Sequence, residues 1–338
     1  MKNHVLISVI VPVYGVEQYI ERCARSLFEQ TMPEGIEFIF VDDCSPDRSI
    51  EILYKVLAEY PHRQSQTRIL HHEQNKGLPA TRQTGIAAGG GRYIAHCDSD
   101  DWMDRDACRK IVEKAIVENL DMVIINTHIQ LHSGNWVVRF PTELAQHVNE
   151  DTVLSYQMQH VLGDRIVDRI IKKSIYQNTS LLLPASNIGE DLVLSVQFCY
   201  YCKKIGCIDQ PLNYYYYNNE SLSNKPTEPV AIKRSQDYKK NIDIVIEFLK
   251  EKGLYEKYKH PLSSFKLRCR NLLVPYMSKA NYRLWRSTYP ELDRWEYFSH
   301  LPKKELCKYL MIRSRLYRFY PALQALYRRL KYAHSSQS

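Results

Sequence analysis

The first 127 residues alternate unbroken apolar runs with amphipathic stretches. Ile7–Tyr14 is an apolar run that closes around Pro12 and Gly15. Val16–Gln30 then carries apolar residues at Val16, Ile20, Cys23/Ala24 and Leu27/Phe28, a helical period. Phe38–Val41 is a second buried-strand run, and it stops abruptly at Asp42-Asp43. Ser45-Pro46-Asp47 reads as a helix start, with an N-cap, a proline at the first helical position and an acid in the first turn. Arg68–His71 is a third short strand, Leu78–Ala88 an Ala-rich helix, and Arg92–Cys97 a fourth strand that also ends in acids. Arg105–Asn119 predicts a helix and Met122–Asn126 a fifth strand.

Strand–helix alternation with unbroken apolar strands indicates a parallel sheet covered on both faces. Such sheets bind ligands at the carboxyl ends of their strands. Two of the first four strands end there in acidic clusters, which is the first functional signal. After Thr127 the pattern changes. His128–Phe140 predicts a hairpin turning at Ser133-Gly134, Asp151–Tyr176 reads as helical, Leu192–Lys204 as a helix and Ile208–Tyr217 as a strand. From Glu228 onward the chain is helical and polar, then basic and aromatic.

Charge sharpens that division. From Pro261 to Ser338 sixteen Lys and Arg stand against four Asp and Glu, so this tail carries +12 and the remainder −4 of the overall +8. A generally basic face for nucleic acid is excluded. No window of about 18 apolar residues exists to span a membrane, and the N-terminus lacks the apolar core of a signal peptide, which predicts a cytoplasmic protein. The nine scattered cysteines, with Cys199, Cys202 and Cys207 close together but no second pair, fit reduced buried thiols better than a zinc site. In Lys303–Lys331, Leu306, Leu310, Leu316, Phe319, Tyr320, Leu323 and Leu330 form a stripe edged by arginines. Such a helix lies on an anionic membrane surface or packs on a core with its basic face in water.

The chemistry concentrates at few places. Cys97-Asp98-Ser99-Asp100-Asp101-Trp102 sets three carboxylates within four residues after a strand. Their repulsion needs relief by a cation or by hydrogen-bond donors. Hard oxygens suit Mn²⁺ or Mg²⁺, ions that bridge to phosphates; a solvated acidic turn is the equal alternative. Asp43 ends the second strand, where an acid accepts hydrogen bonds from a base or ribose or simply faces water. Lys76 and Arg82 lie between the two acidic ends and could balance a diphosphate. Glu190-Asp191 follows Gly189 at a helix start, a place that lowers a carboxylate's pKa and suits a proton acceptor as well as an ordinary first-turn acid.

In order along the chain, these pieces resemble family 2 glycosyltransferases with a GT-A fold. The resembling residues are Ser8–Tyr14, Val41–Asp47, Asn75-Lys76-Gly77 with Arg82, Gly91–Ile94, Asp98–Asp101, Gly189–Asp191, and Tyr217 through Ser221-Leu222-Ser223. The likeness covers residues 5 to 225. It implies an α/β fold of GT-A type, Rossmann-like, with a mostly parallel sheet flanked by helices and a C-terminal helical extension. Residues 1–127 would form the nucleotide-sugar half, 128–227 the acceptor half and 228–338 the basic extension.

The resemblance also implies roles. Pro12, Tyr14, Asp43, Lys76, Arg82, Asp98 and Ser99 would contact the nucleotide sugar. Asp100, with Asp98, would ligate Mn²⁺ or Mg²⁺. Asp191 would be the general base of an inverting displacement, and Asn218–Ser223 a loop over the diphosphate. The acceptor would be a saccharide or a polyprenyl-diphosphate-linked saccharide in cell-surface polysaccharide synthesis, reached from the cytoplasmic face of the inner membrane. Departures stand at Gly15, where the family often has Asn, at Cys44, where Gly is common, and at Gln83, where Asn is common. A sugar nucleotidyltransferase would want a Gly-rich, Arg-containing loop after the first strand, and Tyr14-Gly15-Val16-Glu17 is not one. A non-catalytic nucleotide-sugar-binding module would be expected to lose the base or the metal acids, and both survive.

Overall fold

Seven consecutive buried residues place β1 (Ile7–Val13) in the interior of a sheet. Parallel to it run β2 (Ile36–Asp42) on one side and β4 (Tyr93–His96) on the other, with β3 (Thr67–His71) beyond β2. The structure, a computed structural model, describes residues 4–131, 134–140, 150–216 and 227–316. The chain divides into two compact units, residues 1–221 and 222–338.

The sheet of the first unit has nine strands in the order β3-β2-β1-β4-β8-β6-β9-β5, with β7 paired to β6. The others are β5 (Trp102–Met103), β6 (Met122–Leu131), β7 (Gly134–Val138), β8 (Arg169–Lys172) and β9 (Ile205–Tyr216). The order reverses between β1 and β4, and a crevice opens at the carboxyl ends of strands at such a switch point. One face of the sheet packs Val9, Val11, Phe38 and Phe40 against Cys23, Leu27 and Phe28 of α1 (Ile20–Phe28). The opposite face receives α3 (Leu78–Ala88), whose Gly85 sits so close to β1 that a Cβ there would lie 2.3 Å from Ile10 Cγ2. Arg82, on the same helix, is buried and reaches Asp98 just past the end of β4.

Three expectations change. The helix foreseen from Ser45-Pro46-Asp47 begins later, as α2 (Ser49–Ala58). Asp47 instead ties the turn together, accepting from Ser45 Oγ, from Ser49 N and Oγ and from Glu17 N. The helix expected over Asp151–Tyr176 is split into α5 (Glu150–Met158), β8 and α6 (Lys173–Asn178). β8 pairs antiparallel with both β4 and β6; that ladder, invisible locally, overrides the helical period. Finally, β6 continues through Thr127 to Leu131 and pairs antiparallel with β7 as the expected hairpin. Its turn residue Ser133 lies outside the described residues.

α4 (Ala107–Val117) closes the first half, and α7 (Glu190–Tyr201) starts two residues earlier than foreseen. Its N-cap is Gly189 at φ 79°, a conformation glycine adopts without strain. The nine cysteines are unpaired thiols.

The second unit contains α8 (Glu228–Glu251), α9 (Leu262–Asn271), α10 (Lys279–Ser287) and α11 (Lys303–Arg313). Arg270, fully buried, donates to the carbonyls of Thr288 and Tyr289 and to Asp293. In α11, Tyr309 and Ile312 are buried, whereas Leu310, and Leu316 just past the helix, are exposed. Phe319–Lys331 lie outside the described residues. Among the described residues no helix is long and apolar enough to cross a membrane.

Candidate active site

The carboxyl ends of β1, β2 and β4 gather most of the residues singled out in the sequence. Pro12 is buried in β1 opposite Val41, and Tyr14, just past the strand, is half exposed. Asp43 is buried, and its oxygens accept from Lys76 N and Gly77 N, both at 2.8 Å, and from His72 Nδ1 at 2.7 Å. Burial alone would raise the Asp43 pKa, but these bonds outweigh it and hold it below the usual carboxylate range. The bond to Gly77, at φ 85°, sets the loop that starts α3. The side chain of Lys76 itself stays exposed.

The acid turn after β4 is different in kind. Arg82, 2% exposed, donates through Nη2 to Asp98 Oδ1 at 2.8 Å and through Nε to Glu190 Oε1 at 2.9 Å. Burial opposes its charge, and Asp98 and Glu190 together more than restore it. Arg82 is thus not a free cation awaiting a diphosphate. It ties the acid turn to the first turn of α7, with only Nη1 buried and lacking a hydrogen bond.

Ser99 is buried. Burial, then the neighbouring Asp98, pushes Asp100 up to about 6. Asp101 is fully buried and is raised well above the usual range by burial and by Asp100 and Asp98. Its Oδ1 accepts from Tyr216 N at 2.9 Å, while Oδ2 is buried with no hydrogen-bond partner. Asp191 Oδ1 is likewise buried without one. The helix terminus was expected to lower the pKa of Asp191, yet burial and then Glu190 raise it well above the ordinary value. A dipole acting at a helix end cannot outweigh removal from water beside a second acid.

Among the described residues no three His, Cys, Asp or Glu side chains form a ready-made metal cage. The donor set nonetheless fits Mn²⁺ or Mg²⁺. Asp98 and Asp100 supply hard oxygens, and Asp101 Oδ2 is buried without a hydrogen-bond donor beside them. Such ions commonly take only one or two carboxylates from protein, the rest from phosphates and water.

Sequence reasoning singled out Glu190 without its role and missed Arg22 altogether. Glu190 turns out to be the partner of Arg82. Arg22, on α1, donates to the Asp100 carbonyl at 2.8 Å across 78 positions of sequence; no local signal could have found it. The Asn218–Ser223 loop lies outside the described residues.

Sheet order and acidic strand ends define a GT-A fold, and solved structures agree. S. aureus TarS residues 1–349 in complex with UDP-GlcNAc superposes with TM-score 0.65 at 16% identity, covering 89% of this chain and 82% of that one. The mannosyltransferase PcManGT of Pyrobaculum calidifontis, in complex with GDP-Man and Mn²⁺, superposes with TM-score 0.51 at 14% identity, covering 87% and 82%.

Residues 8–179 match glycosyl transferase family 2, and the chain belongs to that family. It is a glycosyltransferase with glycosyltransferase relatives in bacteria. The uncharacterized glycosyltransferase EpsJ of Bacillus subtilis (strain 168) is 29% identical over 81% of this chain and 78% of its own length. The poly(ribitol-phosphate) beta-glucosyltransferase of Bacillus spizizenii is 28% identical over 62% of this chain and 32% of its own length.

Proposed function

We propose that the protein moves one sugar from a nucleotide-sugar donor, a UDP-sugar in the first instance, to a hydroxyl of a saccharide or lipid-linked saccharide acceptor, with inversion, in cell-surface polysaccharide synthesis. The observation that carries this reading is the Arg82 bridge, which joins Asp98 to Glu190 and so sets Asp191 beside the acid turn. The UDP-GlcNAc bound in TarS and the glucosyl transfer in the relative's name support the donor and acceptor classes.

In this reading residues 1–127 bind the donor and 128–227 form the acceptor side. Pro12, Tyr14, Asp43, Lys76 and Ser99 line the nucleotide end. Asp43 contributes chiefly by holding the Lys76-Gly77 loop in place. Arg82 contributes by orienting Asp98 and Glu190.

Asp191 takes the proton of the acceptor hydroxyl. That oxygen bonds to the anomeric carbon from the face opposite the nucleotide, and the carbon–oxygen bond to the diphosphate breaks with its electron pair. A raised pKa makes Asp191 a stronger base than a surface carboxylate. A divalent ion held by Asp100, with Asp98, would neutralise charge on the departing diphosphate. The exposed Leu310 and Leu316 of the basic segment support peripheral contact with an anionic membrane.

The test is hydrolysis and transfer across a panel of nucleotide sugars with Mn²⁺, with and without chelator. Asp100→Ala and Asp191→Ala should each lose at least about 100-fold in kcat. Wild-type rates from both variants would overturn the site assignment.

A further inference from the structure

The acid turn is gripped from behind by a side chain that no motif includes. Arg22 Nη2 donates to the main-chain carbonyl of Asp100 at 2.8 Å. The guanidinium carbon lies 4.0 Å from the ring centre of Trp102 and 4.6 Å from that of Tyr216. Trp102 is itself stacked on Tyr214, with ring centres 5.3 Å apart and planes 7° from parallel. Tyr216 packs against Tyr19 and donates its amide to Asp101 Oδ1. One guanidinium thus meets α1, the acid turn, β5 and the end of β9. Its Nε is buried without a hydrogen bond, so the side chain is held by ring faces and a single carbonyl.

We propose that Arg22 is a positioning residue for the acid turn: clamped between Trp102 and Tyr216, it fixes the Asp100 peptide so that the Asp98 and Asp100 carboxylates point at one divalent cation. The inference rests on the reading of that turn as the Mn²⁺ or Mg²⁺ site. Three neighbouring carboxylates repel one another and splay unless the backbone between them is held. A cation bound to the carbonyl holds the backbone and supplies positive charge, yet itself occupies no carboxylate oxygen of the turn. A planar guanidinium can lie between two aromatic faces and donate in its own plane; a lysine ammonium cannot do both. Residues that orient metal ligands commonly change metal affinity by about 10- to 100-fold when replaced.

The experiment is Mn²⁺ binding to the full chain, read by the electron paramagnetic resonance signal of free Mn²⁺, with Mn²⁺ alone and with UDP. Wild type, Arg22→Lys, Trp102→Leu and Asp100→Ala are compared, and thermal melts are recorded for each. Arg22→Lys should weaken Mn²⁺ binding about 10-fold or more although its charge is kept, and the metal concentration for half-maximal hydrolysis should rise in parallel. Trp102→Leu, which removes one face of the clamp, should shift both in the same direction and serves if Arg22→Lys does not fold. Wild-type Mn²⁺ affinity in a folded Arg22→Lys or Trp102→Leu variant, with Asp100→Ala impaired, would sink the clamp and leave the site reading intact. Wild-type affinity in Asp100→Ala, or no Mn²⁺ binding by wild type, would sink the site reading itself.

Discussion

Two strand ends on either side of β1 carry acids, and the fold treats them in opposite ways. After β2, Asp43 is buried but receives hydrogen bonds from two backbone amides and a histidine, so its pKa falls. After β4, half-buried Asp100 and fully buried Asp101 lie among other acids and their pKa values rise, as does that of Asp191 at the start of α7. One oxygen of Asp101 and one of Asp191 have no hydrogen-bond partner at all. An internally satisfied acid is scaffold. Buried acids left unsatisfied cost stability, and a fold retains them where a cation, or a hydroxyl giving up its proton, relieves the cost. The contrast separates a residue that shapes the Lys76-Gly77 loop from acids whose buried oxygens are left without a donor, among them Asp191, the base of the proposed mechanism.

The largest expected effect falls on function alone. Asp191→Asn should reduce kcat by about 10² to 10⁴-fold, while urea denaturation shows stability unchanged or higher, because an uncompensated buried carboxylate is gone. A stability loss matching the activity loss would erase the contrast. Asp43→Ala should do the reverse. It leaves two amides and His72 without their acceptor, so unfolding stability should fall by about 2–3 kcal/mol, with the donor KM rising more than kcat falls.

Acid titration should separate the two sites by sign. The folded pKa of Asp100 is raised, so its contribution is fully present below the unfolded value of 3.8 and is lost as pH rises through about 6. Asp100→Asn should therefore gain on wild type over that window, by about 1–2 kcal/mol after allowance for its partial exposure. The folded pKa of Asp43 is lowered, so its contribution is present above 3.8 and is lost as pH falls through the lower folded value. The advantage of wild type over Asp43→Asn should shrink there. Metal-free protein and equilibrium denaturation at several pH values make the measurement.

The smallest effect concerns Cys44, beside Asp43, which adopts φ 60°. This left-handed conformation costs a side chain about 1–2 kcal/mol. Glycine relieves that strain but loses about 0.5–1 kcal/mol to unfolded-state freedom. Cys44→Gly should therefore stabilise by about 0.5 kcal/mol, with activity unchanged; a destabilised variant would mean the thiol makes contacts that outweigh the strain.

That position also shows how far the chain could be read without coordinates. Gly15 and Cys44, two of the departures from the family pattern, both lie at positive φ, where the Asn and Gly common in the family sit comfortably. Strands β1, β2 and β4 were legible because burial on both faces demands unbroken apolar runs. Leu78–Ala88 matches α3 end for end. β8 was not legible, since Arg169–Lys172 is a strand only because β4 and β6 offer edges on either side. The acids were visible as candidates, but Asp43 and Asp100 looked alike as residues, and nothing local told them apart.

The sequence by itself determined the α/β alternation, the placing of acids at strand ends and the family, all of which follow from local periodicity and ordered short motifs. Only the tertiary structure decided which acid is satisfied and which is left wanting. It made Arg82 a bridge rather than a free cation, and it brought Arg22 to the back of the acid turn. Each of these depends on groups tens of residues apart meeting in a water-poor space, where a carboxylate's charge is settled by its neighbours and not by its place in the chain.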